Sequence, residues 1–238
     1  MDKVSSWRLI LNPRTPGSQN MVIDKTLFKN LETNTASPAL RIYSWLRPCI
    51  SVGYSQTPEN ELDLSLCREL GIQVVKRPTG GGIVFHTKAE ATYSFVIPFE
   101  REFRNGSPEI LNKTSKALVT ALSSFGIDVH ISENRKRWNS RFCFSYPSRC
   151  EITANGRKII GMAHRIGKRG MLQQASIFVD NEIDFMLKAL KNPPPKRDIT
   201  SKAASIRELI RRIPDFDELS RALIFGFEES FKVKLIPL

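Results

Sequence analysis

A mixed α/β fold is what this sequence predicts, on three observations. Apolar, β-branched runs at 72–75, 83–85 and 91–97 have the length and composition of strands. Stretches at 20–32, 107–125 and 215–231 repeat apolar residues at helical spacing, so each is expected to bury one face. Asn155-Gly156 lies between two short apolar runs, the strongest short-range signal of a β-hairpin. With 238 residues, 41% of them hydrophobic, and no internal boundary in composition, the chain reads as one domain over 1–238 with a substantial core.

Taken in order, residues 7–12 form a first strand, ended by Pro13 and Pro16-Gly17. Ser18 to Asn20 is expected to cap a helix to about Glu32, with Met21, Ile23, Leu27, Phe28 and Leu31 as its buried stripe. Residues 40–46 alternate apolar and polar side chains as a half-buried strand does, until Pro48 breaks the pattern. The next strand, 50–54, contains Gly53, which implies close approach of another backbone. A short helix over 63–70 holds Cys67 as a small buried hydrophobe. Ser107-Pro108-Glu109 opens a helix that stops at Gly126, and 127–131 alternates as a strand. Residues 133–141 are basic and aperiodic, a surface loop. The hairpin then holds Lys158 in an apolar setting, where burial lowers a lysine's pKa; an exposed Arg157-Lys158 pair is the alternative. Residues 171–179 return as a strand. Beyond it, a short helix at 185–190, the stiff connector Pro193-Pro-Pro195, helices at 206–212 and 215–231 and an edge strand at 233–236 read as scaffold.

The formal net charge of +12 points to acidic partners: nucleic acid, an acidic carrier protein or phosphorylated small molecules. No run of 18 apolar residues occurs and the N-terminus does not read as a signal peptide, so the expectation is a cytoplasmic chain with no membrane segment. Cys49, Cys67, Cys143 and Cys150 form no Cys-x-x-Cys pair and the three histidines lack ligand spacing. Neither a metal site nor a disulfide framework is expected, and reduced thiols leave each cysteine open to a catalytic reading.

Gly80-Gly-Gly82, between Lys76-Arg77 and a β-branched run, is the feature with chemistry. Three glycines weaken a strand unless something must approach the backbone, and exposed N–H groups beside two cations suit an anion. A plain hairpin turn is the alternative. The spacing fits neither dinucleotide-binding nor P-loop glycine patterns.

Jointly, Arg77-Pro-Thr-Gly-Gly-Gly-x-Val-x-His86, Thr92-Tyr-Ser, Cys143-Phe-x-x-Pro-Ser148, Gly156-Arg-Lys-x-x-Gly161 and Leu172-Gln-Gln-x-Ser-Ile177 resemble the catalytic domain of biotin and lipoate protein ligases. Within that family the likeness is greatest to the cysteine-dependent octanoyltransferases of lipoate assembly, and next to lipoate-protein ligase A. Asn20-Met-x-Ile-Asp24, Arg41-Ile-Tyr-Ser-Trp45, Gly53-Tyr-Ser-Gln56 and Gly226-Phe-Glu-Glu-Ser-Phe231 also fall in family order, so the likeness covers nearly the whole chain. It implies an α/β (α+β) fold with a mostly antiparallel sheet and packed helices. It implies Cys143 and Lys158 as the catalytic residues. Tyr54, Gln56, Arg77, Gly80, Gly81, Gly82, His86, Gly161 and Ala163 would form the acyl or nucleotide site. Implied partners are acyl carrier protein and lipoyl-domain acceptors, namely the glycine cleavage carrier protein and 2-oxoacid dehydrogenase subunits, met by a monomer.

In the transferase branch a cysteine takes the octanoyl group from a carrier-protein thioester and passes it to the acceptor lysine, with no tightly bound cofactor. In the ligase branch, ATP and magnesium activate free lipoate. Gly82 stands where these transferases commonly have Arg and so resembles the ligases, whereas Arg149-Cys150-Glu151 departs from the ligases' Asn-Asp, and the chain has no length for their extra domain. The reading favours the transferase. Cys150 sits off the matched position and beside Glu151, whose charge disfavours a thiolate. His86 and His164 are general-base candidates by residue type, His86 being the one expected instead to brace the loop. Thr87, where both branches usually have Asp, motivates an inactive lipoate binder as an alternative; the biotin branch lacks its own glycine loop here. A basic nucleic-acid module is the non-enzyme alternative, from Arg135-Lys-Arg-Trp138, although the cations are spread along the chain. Arg135, Lys136 and Arg137 are otherwise expected to dock the acidic protein partner.

Overall fold

The computed structural model describes residues 5–33, 37–99, 107–133, 150–180 and 183–238; Cys143, Arg135, Lys136 and Arg137 lie outside them. In chain order the elements are β1 (Ser6–Thr15), α1 (Gly17–Glu32), β2 (Ala39–Trp45), β3 (Cys49–Val52), α2 (Pro58–Glu61), α3 (Leu64–Glu69), β4 (Gln73–Lys76), β5 (Val84–His86), β6 (Thr92–Pro98) and α4 (Ser107–Ser123). There follow β7 (Val129–Ile131), β8 (Ile152–Ala154), β9 (Arg157–Lys158), β10 (Ile160–Ile166), β11 (Gly170–Ile177), α5 (Asp184–Leu187), α6 (Lys196–Thr200), α7 (Ile206–Ile210), α8 (Phe216–Phe231) and β12 (Lys234–Pro237).

Six strands form the main sheet in the order β10-β11-β6-β2-β1-β12, beside the three-stranded sheets β4-β3-β5 and β7-β8-β9. Pairing is antiparallel from β10 through β11 and β6 to β2, and parallel from β2 to β1 and β12. The expected mostly antiparallel α/β architecture is therefore present.

Central position explains where the sequence reading of β2 departs from the structure. Its alternation predicted one solvated face, yet all seven residues are buried. Leu40 and Ile42 face the core built with α4 and α8, while Ala39 joins a cluster with Leu27 and Leu31 of α1. Tyr43 and Trp45 meet Met21 of the same helix. Period-two alternation separates two faces; it does not say that the polar face stays wet. Here α1 covers it, and Arg41 becomes fully buried.

Two other boundaries shift for local reasons. β1 continues through Pro13 to Thr15 because the register slips between Asn12 and Thr15, with Arg14 at φ +50°; a bulge removes the need for a proline N–H. Ser18 and Asn20 lie inside α1, which starts at Gly17, whose N–H donates to Gln73 Oε1 at 2.9 Å. By contrast α8 begins where expected, and a capping box between Asp215 and Glu218, not singled out in the sequence, closes its first turn.

The stretch read as scaffold has a further task. Lys158 N–H donates to Lys202 O at 2.8 Å, and Ala204 N–H donates to Lys158 O at 2.9 Å. The chain after α6 thus holds the Lys158 backbone from both sides.

Candidate functional site

The glycine loop connects β4 to β5, which flank β3 on opposite sides, so it must cross the end of β3. That crossing accounts for two glycines. A Cβ on Gly53 would stand 2.0 Å from Gly81 O, and Gly81 itself has φ +91°. Close backbone approach at Gly53 was expected; its partner is the loop. A Cβ on Gly80 would meet nothing within 4 Å, so this glycine leaves space rather than permitting contact.

Arg77 holds the crossing together. Its guanidinium is 5% exposed and donates to Ser51 O at 3.0 Å, Gly80 O at 2.8 Å and Gly82 O at 2.6 Å. The expectation that Arg77 offers its charge to an anion is corrected: the loop's own carbonyls turn inward and take it. Lys76, next in sequence, is exposed.

His86 reaches the loop through Ser51, whose Oγ also accepts from Arg77 at 3.1 Å, rather than by the direct hydrogen bond expected. Nε2 lies 2.8 Å from Ser51 Oγ, Nδ1 lies 2.8 Å from Glu90 Oε1, and the ring stacks on Trp45 at 4.0 Å between centroids. An ionised Glu90 can only accept, which puts the proton on Nδ1 and leaves Nε2 to accept from Ser51. Trp45 is fixed in turn by its Nε1–H to Thr92 Oγ1 at 2.9 Å, and Thr92 donates to Glu90.

A buried polar network ties the loop to the main sheet. Thr79 Oγ1 donates to Gln174 Oε1 at 2.7 Å, and Gln174 Nε2 donates to Asp24 Oδ2 at 2.6 Å. Asp24 also accepts from Arg41 at 2.7 Å, Ser94 at 2.6 Å and Tyr43 at 3.1 Å. One fully buried carboxylate thus joins α1, β2, β6, β11 and the loop.

Between loop and sheet lies a cleft of two compartments. The inner one, together with the open solvent before it, spans about 340 Å³, with Met21, Trp45, Val84, Met162 and Ala175 as apolar wall. Gly161 and Ala163 line it as expected, with Arg77 and His86. Ser176 points a further polar group there: it is 4% exposed and its hydroxyl has no partner among the described residues. The outer compartment, about 670 Å³ by the same measure, is bounded by Gly80, Gly81, Leu111, Cys150, Glu151 and His164. Met162 and Ala163 belong to both, so the compartments adjoin.

Lys158 is buried, with Nζ 2.6 Å from Glu151 Oε1 on the outer wall. The apolar setting expected of it holds, with a carboxylate inside. Cys150 is half-buried at φ +70°, its carbonyl accepting from Ser115 Oγ at 2.6 Å. At the rim, burial pushes the His164 pKa down. Burial also raises Cys49 well above, and Cys67 above, the ordinary thiol pKa, so both prefer the protonated form.

Tyr54 and Gln56 are not brought to the cleft lining. The Tyr54 ring is 59% exposed, and Gln56 Oε1 accepts from Gly53 N–H at 2.9 Å, closing a turn. The resemblance assigned them to the site through the motif Gly53-Tyr-Ser-Gln56, but a place in a motif does not set side-chain direction. Conversely Met21, Trp45, Thr92, Gln174 and Ser176 line the inner compartment without having been named as site residues. The signal was there: all five stand in the motifs that carry the family resemblance, and Gln174 and Ser176 share one face of β11.

Comparison with known proteins agrees with this geometry. The sequence profile of the lipoyl protein ligase A/B catalytic domain matches residues 16–228. The chain is 36% identical to octanoyltransferase LipM of Carboxydothermus hydrogenoformans, over 98% of this chain and 89% of the relative. It is 32% identical to octanoyltransferase LipM of Clostridioides difficile, over 98% and 90%. Among solved structures, it resembles lipoate-protein ligase A bound with ATP at a TM-score of 0.78 and 26% identity, over 98% of this chain and 88% of that one.

Proposed function

The chain belongs to the lipoyl protein ligase A/B catalytic domain family, and from that membership we propose that it is an acyltransferase of protein lipoylation. It passes an octanoyl group to a lysine of lipoyl-domain proteins. The observation that carries this reading is the pair of adjoining compartments. An apolar inner cleft suits an acyl chain, and a polar outer one suits the reacting carbonyl and incoming amine.

In this mechanism the Cys143 thiolate attacks the carbonyl of an octanoyl thioester on acyl carrier protein. The carrier's thiolate leaves and takes a proton, so one thioester is exchanged for another. The acceptor lysine's neutral amine then attacks the Cys143 thioester. An amide forms, Cys143 leaves as thiolate, and the nitrogen gives up a proton. Lys158, held by Glu151, supplies positive charge where negative charge develops and favours the thiolate. Of the two histidines, His164 is the better proton acceptor. Its lowered pKa keeps it neutral near pH 7, whereas both His86 nitrogens are engaged. Glycine cleavage carrier protein and 2-oxoacid dehydrogenase subunits are the acceptors expected by resemblance, and the route needs neither ATP nor magnesium.

Gly82 favours the competing ATP-dependent ligase reading, and one experiment separates the two. Intact-protein mass spectrometry follows wild type and Cys143→Ala with octanoyl-acyl carrier protein, and in parallel with ATP plus lipoate. The thioester route yields a hydroxylamine-sensitive octanoyl adduct on wild type and none on Cys143→Ala. Acceptor modified only with ATP and lipoate, by both proteins, would establish the ligase instead; no transfer in either arm would leave a binder.

A further inference from the structure

The outer side of the glycine loop carries a surface that acyl transfer itself leaves unused. Tyr54 N–H donates to Thr79 O at 2.9 Å, so the loop fixes this residue's backbone while its ring stays exposed. Two cations bracket the ring: the Arg165 guanidinium carbon is 5.0 Å from its centroid and Lys76 Nζ is 5.8 Å away. Arg165 also lies 5.6 Å from the Phe28 ring on α1. Lys25, exposed and three positions before Phe28, adds a charge to the same helix face. Among the described residues, neither Lys76 nor Arg165 is in an ion pair with a carboxylate. Glu32, toward the end of α1, is taken by the N–H groups of Lys168 and Arg169 at 2.9 and 3.0 Å.

An exposed tyrosine beside two cations that have no carboxylate partner among the described residues, with the Phe28 ring against one of them, has the composition of an interface anchor rather than of ordinary solvated surface. Its charge fits an acidic protein. Its place selects which one, because Thr79, which holds the Tyr54 backbone, bonds Gln174 in the wall of the inner compartment. The acyl chain must enter that compartment while still tethered to its donor, whereas the acceptor need only reach a carbonyl already in the outer compartment. We propose that Tyr54, Lys76 and Arg165, with Phe28, are the docking surface for the acidic carrier protein that delivers the acyl thioester. The identity of the partner rests on the acyl-transfer reading; the surface does not.

The test uses the full chain and the Lys76→Glu/Arg165→Glu double variant. Fluorescence anisotropy measures binding of octanoyl-acyl carrier protein, and steady-state transfer is compared between that donor and octanoyl-pantetheine, which carries neither protein nor phosphate. We expect carrier binding to weaken and its KM to rise by about tenfold, with a flatter salt dependence. The kcat/KM for octanoyl-pantetheine and the KM for the acceptor stay unchanged. Tyr54→Ser, which keeps both charges, should weaken carrier binding by a smaller factor. Equal carrier binding by wild type and the double variant overturns the proposal, as does a rise confined to the acceptor's KM. Wild type that binds the carrier through these residues yet transfers nothing from either donor would overturn the acyl-transfer reading and leave the surface standing.

Discussion

Replacing Asp24 by Asn should strongly destabilise the protein, although the side chain keeps its shape. The carboxylate is fully buried and accepts four hydrogen bonds, from Arg41, Ser94, Tyr43 and Gln174. Arg41 has zero exposure; without Asp24 it keeps Asn12 at 2.7 Å and Asn20 at 2.6 Å but loses its counter-charge. Breaking a buried pair by removing one partner costs about 3–5 kcal/mol. The new amide NH₂ also faces two donors where an oxygen accepted. The Tyr43 hydroxyl can rotate away, and Gln174 can flip so that its NH₂ donates to the Thr79 hydroxyl, which also accepts, so this mismatch adds little. The loss is therefore about 3–5 kcal/mol, against roughly 5–15 kcal/mol for a typical domain. Urea unfolding followed by circular dichroism measures the loss. In the Asp24→Asn/Arg41→Gln double variant no uncompensated charge remains, and about 1–3 kcal/mol should return. A single variant that loses less than about 1 kcal/mol, or a double no more stable than the single, would refute the reasoning.

Two further outcomes follow from the titratable groups. Native protein treated with iodoacetamide at pH 8 should be alkylated at Cys150 well before Cys49 or Cys67, whose burial keeps them protonated; peptide mass mapping reads the order, and early labelling of Cys49 would contradict the packing around it. His164 has a lowered folded pKa, so below its unfolded value of about 6.5 the unfolded chain binds more protons and stability falls with acid, while above that value His164 contributes no pH dependence. His164→Gln should therefore flatten the stability profile only on the acid side of about pH 6.5, as seen in urea midpoints; identical profiles would show that the histidine titrates normally.

The parts of the site legible in the sequence are those whose cause is local. Three glycines before a β-branched run and an Asn-Gly turn are each set by the conformational needs of a few neighbouring residues. The glycine loop and the hairpin holding Lys158 were therefore placed correctly. Gly53 was read as a point of close approach because an isolated glycine in a strand has few other reasons to be there. Where the reading failed, side-chain direction or covering layers were at issue. Tyr54 turned outward, Arg77 turned into its own loop, and the polar face of β2 was roofed by α1.

By itself, the sequence determined the order and type of most elements, the position of the glycine loop and, through motifs spread over nearly the whole chain, the family. Only the tertiary structure decided which charges are buried and what neutralises them. For Lys158, after an Asn-Gly turn, the sequence left both an apolar setting and an exposed Arg157-Lys158 pair open; Glu151 and the segment after α6 close over it. The link from the loop to the sheet runs from Thr79 to Gln174, 95 positions apart, and from Gln174 to Asp24, 150 apart. Periodicity and turn chemistry act over a few residues, whereas the satisfaction of a buried polar group depends on partners that only chain topology brings within 3 Å of one another.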